Sequence, residues 1–91
     1  MDPQVSLENL LELAEEMGIT VRRIPAAAET SEHPGGALVR LRGEEILFLD
    51  PAASVPDQIS VVAAALRGRE EIENRFLPPE IRRLIDEAAL G

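Results

Sequence analysis

The sequence contains no cysteine, lysine, tryptophan or tyrosine, and these absences exclude several kinds of protein. Without cysteine the chain cannot form disulfides, thiolate metal sites or a thiol nucleophile. Its only aromatic residues are Phe48 and Phe76, so a core must be built from leucine, isoleucine, valine and alanine. No apolar segment approaches the roughly 18 residues that cross a bilayer, and the acidic start lacks the cationic residues of a leader peptide. We therefore expect a cytoplasmic protein that does not bind membranes.

The chain is also short and acidic. Its 91 residues suffice for one domain, residues 1–91, because a chain of this size cannot enclose a second core. The formal net charge of −8 removes long-range attraction to the phosphates of nucleic acids, so a nucleic-acid partner is not expected. A small core with few aromatic residues favours burial of further apolar area by self-association.

Hydrophobic periodicity predicts an α/β domain with the order α-β-β-β-α-α and a three-stranded sheet. Apolar residues at helical spacing predict a first helix, capped by Ser6 and stopped at Gly18. Alternating residues predict strands at 19–24, 37–42 and 45–49. The last two strands form a hairpin around Gly43, because glycine supplies the positive φ that a tight turn needs.

A second helix is predicted from about residue 55 to residue 67. Ser54 begins it as a cap, and its apolar residues lie on nearly every side, which indicates a buried helix. The charged connector at 69–77 has no predicted structure and offers the helical ion pairs Arg67–Glu71 and Arg69–Glu73. A third helix follows Pro78 and Pro79.

The strand at 45–49 is apolar on both faces, which predicts a central position in the sheet. Strand alternation alone places an interface on one sheet face, formed by Arg22, Leu38, Arg40, Arg42, Leu47 and Leu49. Arginines beside exposed aliphatic residues are typical of protein interfaces, so we expect a homodimer through this face or an unidentified protein partner. The alternatives are a solvated face on which arginine stems shelter the leucines, or a face that the third helix covers.

Three segments, LLELAEEMGITVRR, GGALVRLRGEEILFLDP and DQISVVAAALRG, carry a resemblance to a known family. Within residues 10–68 they resemble the start of the ImmA/IrrE zinc metallopeptidases, in which a helix, a strand and a hairpin lead into an HExxH helix. The resemblance implies a degenerate zincin-like core. The HExxH positions fall on residues 64–68, where Ala64 and Gly68 offer no donor atom in place of the zinc-binding histidines, so the peptidase activity does not carry over. The segment LPPEIRRLIDEA is similar to the ends of small bacterial proteins and implies no function.

The residues that could carry chemistry are few. His33, the only histidine, lies in a loop with Glu29 and Glu32, a setting that does not preorganise metal ligands. Asp50 ends a strand without a partner base or nucleophile, so a role in a turn is favoured. The sequence therefore predicts a non-catalytic binding or assembly module that self-associates and has no metal, cofactor or catalytic residue. The alternative is a small enzyme or anionic-ligand-binding protein that uses Asp50, His33 and the arginines of the sheet.

Overall fold

A computed structural model of the chain describes residues 2–23 and 36–88 and shows an α+β fold with a three-stranded mixed sheet. The elements in chain order are α1 (Pro3–Glu16), β1 (Thr20–Arg23), β2 (Gly36–Leu41), β3 (Glu44–Leu49), α2 (Val55–Leu66), α3 (Glu70–Glu73) and α4 (Pro79–Glu87). The short helix α3 lies in the connector, for which the sequence predicts no element. None of the helices in these two ranges is both long and apolar enough to span a membrane.

Helix α1 begins earlier than the sequence pattern predicts. Asp2 is its N-cap: the carboxylate accepts a hydrogen bond from the backbone N–H of Gln4 at 2.8 Å, and Pro3 follows at the first helical position, where no N–H is needed. The prediction that Ser6 caps this helix is wrong, because Ser6 lies inside the helix and is buried. Gly18 has φ +86° directly after the C-cap, so the predicted stop at this glycine is confirmed.

The sheet has the order β1-β3-β2, which confirms the central position of β3. Strand β3 pairs in parallel with β1 and antiparallel with β2. Between β2 and β3 the chain turns at Arg42 and Gly43, whose φ angles of 53° and 81° are both positive, as in a type I′ turn. The predicted hairpin is therefore confirmed, and the parallel partner β1 reaches β3 from the other side.

Helices α1 and α2 cover one face of the sheet, which we define as the inner face. Helix α1 packs on β1, α2 packs on β2 and β3, and α4 packs against α1 and α2. Leu47 and Leu49 project from β3 into this core and are fully buried. The prediction that these two leucines form a protein interface is wrong, because α1 and α2 already bury them. The third predicted helix, here α4, is not the cover, since it lies against the first two helices.

Helix α2 is held over the sheet by its start. The Ser54 hydroxyl accepts a hydrogen bond from the N–H of Asp57 at 3.2 Å, which confirms the predicted cap. The buried side-chain amide of Gln58 donates to the carbonyl of Ala53 at 2.9 Å and ties the helix to the preceding turn. The predicted burial of α2 is confirmed for the side that faces the core, whereas Ala64 is exposed on the opposite side.

Candidate functional site: the outer sheet face

The strand register decides which residues share the second face of the sheet. Residues paired across neighbouring strands lie on the same face, and successive residues of one strand alternate between faces. Ile46 pairs with Thr20 on one side and Val39 on the other, and Phe48 likewise pairs with Arg22 and Ala37. With Leu41 these residues form a surface opposite Leu47 and Leu49. We define the outer face as the apolar residues Ala37, Val39, Leu41, Ile46 and Phe48.

The outer face is uncovered by the described part of the chain. None of its five residues belongs to the core cluster or packs against it. Val39 and Leu41 are 38% and 57% exposed, and Ile46 and Phe48 are half-buried between their neighbours on the sheet. Together they form a contiguous apolar patch, and such patches mark interaction surfaces more often than scattered exposed leucines do.

The sheet is the positively charged part of an acidic chain. Residues 20–23 and 36–49 contain four arginines and two glutamates, a net charge of +2. Since the whole chain carries −8, the remaining residues carry −10. Of the sheet's arginines, Arg22 and Arg23 on β1 and Arg42 in the hairpin turn are exposed and form no ion pair with another described residue. By register Arg22 lies on the outer face and Arg23 on the inner face, whereas the exposed Glu44 pairs with Leu41 and lies on the outer face. With Arg42 in the adjoining turn, the outer face therefore carries a net charge of +1.

The residues of the predicted interface do not lie on one surface. Arg22 pairs with Phe48 and so lies on the outer face, whereas Leu38 and Arg40 pair with Leu47 and Glu45 and belong to the inner face at the open edge of β2. Leu38 is 38% exposed there. Alternation within each strand was known from the sequence, but the register of β1 against β3 was not, and a shift of one residue moves every side chain to the other face.

The strongest charged contact of the sheet lies at the start of β3. Glu45 accepts two hydrogen bonds from the guanidinium of Arg69, at 2.9 Å (Nη1 to Oε1) and 2.5 Å (Nη2 to Oε2). Arg40 adds a third at 3.1 Å, and the Nε of Arg69 donates to the carbonyl of Ala65 at 2.8 Å. These hydrogen bonds lower the pKa of Glu45 from 4.5 to about 2, and the largest contribution comes from Arg69. Arg69 thus binds Glu45 and not Glu73, the partner predicted from helical spacing.

Asp50, another predicted candidate, has a role in the local backbone structure. Asp50 accepts the backbone N–H of Ala52 at 2.9 Å, so its carboxylate stabilises the turn before α2, as the favoured prediction has it. His33, with Glu29 and Glu32, lies outside the described residues. In the parts of the chain that the structure describes, no three His, Cys, Asp or Glu side chains lie close enough together to hold a metal ion.

The positions aligned with the zinc ligands of the metallopeptidases lie on a second surface. Ala64 and Gly68 open onto a groove of about 450 Å³ between the end of α2 and α4. Arg67, Glu73 and Asp86 complete its lining. The groove holds two carboxylates, but neither Ala64 nor Gly68 contributes a donor atom that could complete a metal site with them.

A third exposed surface surrounds Phe76, whose side chain is 87% exposed. Beside it a groove of about 220 Å³ runs between α1 and the start of α4, with Glu12 and Glu16 of α1 on its wall. Glu15 lies next to both on the exposed side of α1. Glu16 forms an ion pair with Arg75. We define the acidic end as Phe76 with Glu12, Glu15 and Glu16, a site that the sequence reasoning missed.

A signal for this site was present in the composition. The chain has two phenylalanines, and the structure places neither in the core: Phe48 lies on the outer face and Phe76 at the acidic end. Phe76 stands between charged residues and two prolines, outside any periodic apolar pattern. An aromatic residue outside such a pattern is a candidate for an exposed contact residue.

Comparison with models of known families, with curated proteins and with solved structures found no match to this chain. The resemblance to the ImmA/IrrE metallopeptidases therefore stays a prediction from the sequence.

Proposed function

We propose that this protein is a non-catalytic assembly module that binds a second copy of itself through the outer face. The observation that carries the proposal is the contiguous apolar patch on β2 and β3 that no described element covers. Burial of such a patch stabilises a contact by about 25 cal/mol per Å². A chain with a small aliphatic core and both phenylalanines outside it gains from that burial.

The charge distribution supports a second copy as the occupant. Two chains that each carry −8 repel each other through most of their surfaces. The sheet, with its net charge of +2, is the region at which a second copy meets the least repulsion. The outer face adds aliphatic residues and an aromatic residue to this region, a composition found in the cores of protein interfaces.

The alternative is a small enzyme or anionic-ligand protein based on Asp50, His33 and the arginines of the sheet. The geometry favours assembly over this alternative. The carboxylate of Asp50 is engaged in its own turn, and Arg40 is bound to Glu45. Arg22 and Arg42 flank an apolar patch.

Sedimentation velocity over a micromolar concentration series tests the proposal. The outer-face variant carries Val39→Thr and Leu41→Thr, which retain strand propensity but remove apolar contact area. We expect the wild type to self-associate and this variant to associate at least about tenfold more weakly, a loss of roughly 1.4 kcal/mol. The control is Ala64→Ser, because Ala64 is exposed on α2 and belongs neither to the outer face nor to the acidic end, so association should be unchanged.

Two results would contradict this function. One is a wild-type chain that stays monomeric throughout the series. The other is an outer-face variant that is folded, by circular dichroism, and associates as strongly as the wild type.

A further inference from the structure

We infer that the outer face of one copy binds the acidic end of the next, so that the copies associate head to tail. This inference rests on the proposed function and names the surface that the outer face receives. The two surfaces share no residue: one consists of strand residues, and the other of residues from α1 and the connector before α4. A single copy can therefore use both at once.

The signs of the charges favour contact between unlike surfaces. Arg22, Arg42 and Glu44 give the outer face a net charge of +1, whereas Glu12, Glu15 and Glu16 together with Arg75 give the acidic end a net charge of −2. A twofold contact that paired the acidic end with itself would bring like charges together, which costs association free energy. A twofold contact of the outer face with itself would leave Glu12 and Glu15 without a cationic partner from the second copy. Contact between the outer face and the acidic end brings arginines opposite glutamates, and the exposed glutamates Glu12 and Glu15 form no ion pair with another described residue.

Phe76 supplies the apolar anchor for this contact. Large aromatic side chains dominate the binding energy of protein interfaces when a partner desolvates them, and Phe76 is almost fully exposed in the isolated chain. The outer face presents an aliphatic surface with Phe48 on its central strand. Two phenylalanine rings in contact contribute about 0.5 to 1.5 kcal/mol beyond the area that they bury. The head-to-tail contact thus buries both of the chain's aromatic residues.

Unlike surfaces on one chain generate an assembly that does not close at two copies. Such heterologous contacts build rings or open chains, whereas a contact of a surface with itself stops at a dimer. The average mass should therefore rise beyond that of a dimer as the concentration increases. It should fall with added salt, since the arginine–glutamate contacts at the rim are exposed to screening.

A mixing experiment tests the inference. The outer-face variant, Val39→Thr with Leu41→Thr, keeps an intact acidic end. The end variant, Phe76→Ser, keeps an intact outer face. With one variant labelled with ¹⁵N, native mass spectrometry at micromolar concentration separates mixed from unmixed pairs. We expect each variant alone to be monomeric and the mixture to form a one-to-one complex of one labelled and one unlabelled chain.

The other outcomes separate the inference from the function on which it rests. A Phe76→Ser chain that dimerises by itself as strongly as the wild type, beside a monomeric outer-face variant, overturns the head-to-tail contact and leaves the outer face as the interface. Two variants that stay monomeric when mixed also overturn it. A wild-type chain that does not associate overturns both. Phe76→Leu serves as the control, because it retains an apolar anchor and should associate more strongly than Phe76→Ser.

Discussion

The two faces of the sheet have nearly the same apolar content, but described helices cover only one of them. On β3, Leu47 and Leu49 point inward and are fully buried beneath α1 and α2, while Ile46 and Phe48 point outward and no described element covers them. An apolar strand predicts burial on both sides, and the fold supplies helices for one. The outer face is thus the surface on which an apolar sequence pattern has no partner within the described chain.

The comparison of the two faces is tested most strongly by identical substitutions on each. Leu47→Ala removes a side chain that is fully buried and leaves a cavity, so the free energy of unfolding should fall by about 2 to 5 kcal/mol. Leu41→Ala removes the same atoms from an exposed position on the outer face and should cost less than about 1 kcal/mol. Urea denaturation of the two variants at a concentration where the chain is monomeric gives both values. Equal losses would mean that the outer face is covered.

The ion pairs that Glu45 forms with Arg69 and Arg40 should make the free energy of unfolding depend on pH. Because Arg69 and Arg40 lower the pKa of Glu45 from 4.5 to about 2, the contribution of this carboxylate is fully present above pH 4.5 and lost as the pH falls toward 2. Glu45→Gln should cost about 1 to 3 kcal/mol near neutral pH, as for other charged hydrogen bonds, and almost nothing near pH 2.

The neighbouring residue provides the control for this prediction. Glu44 is exposed and forms no ion pair with another described residue, so Glu44→Gln should leave the free energy of unfolding nearly constant relative to the wild type across this range. A Glu45→Gln variant whose loss is the same at pH 7 and pH 2.5 would show that the ion pair does not set the stability.

The cap of α2 should have an intermediate effect, because it fixes the helix that buries the inner face. Ser54→Ala removes the acceptor for the N–H of Asp57 and should cost about 0.5 to 2 kcal/mol. Ser54→Asp retains an acceptor and should restore most of the loss. Thermal unfolding measures both. If Ser54→Ala and Ser54→Asp melt alike, the hydroxyl does not stabilise the helix.

The smallest effect is expected on the side of α2 that faces the groove. Ala64 is exposed, so Ala64→His should cost only about 0.7 kcal/mol, the difference in helix propensity. The buried helix that the sequence predicts would instead place this histidine in a close-packed surface. Val62 lies two residues earlier on α2 and is fully buried, so Val62→His should unfold the protein or destabilise it by several times as much. Similar melting temperatures for these two variants would contradict the orientation of α2.

Local patterns predicted the parts of the fold that local chemistry decides. The turn at Arg42 and Gly43 and the cap at Ser54 follow from a few adjacent residues, and both were predicted correctly. The face of the sheet that the helices cover was not predicted correctly. Strand β3 is apolar on both faces, and alternation shows which residues share a face but not which face is buried.

The remaining wrong predictions concern contacts between residues that are far apart in the sequence. Arg69 binds Glu45, 24 residues earlier in the chain, since a half-buried bidentate pair is stronger than an exposed pair at helical spacing. The register that moves Arg22 to the outer face depends in the same way on contacts between β1 and β3. Neither contact can be predicted from the local sequence.

The most direct test of the outer face as an association surface uses the absence of cysteine from the chain. Val39→Cys and Ala64→Cys each introduce a single thiol at an exposed position, one on the outer face and one on α2. Alkylation rates are measured under reducing conditions over a series of protein concentrations. We predict that the thiol at position 39 becomes slower to react as the protein associates, while the thiol at position 64 reacts at a constant rate. A rate at position 39 that does not change while sedimentation shows association would contradict the account.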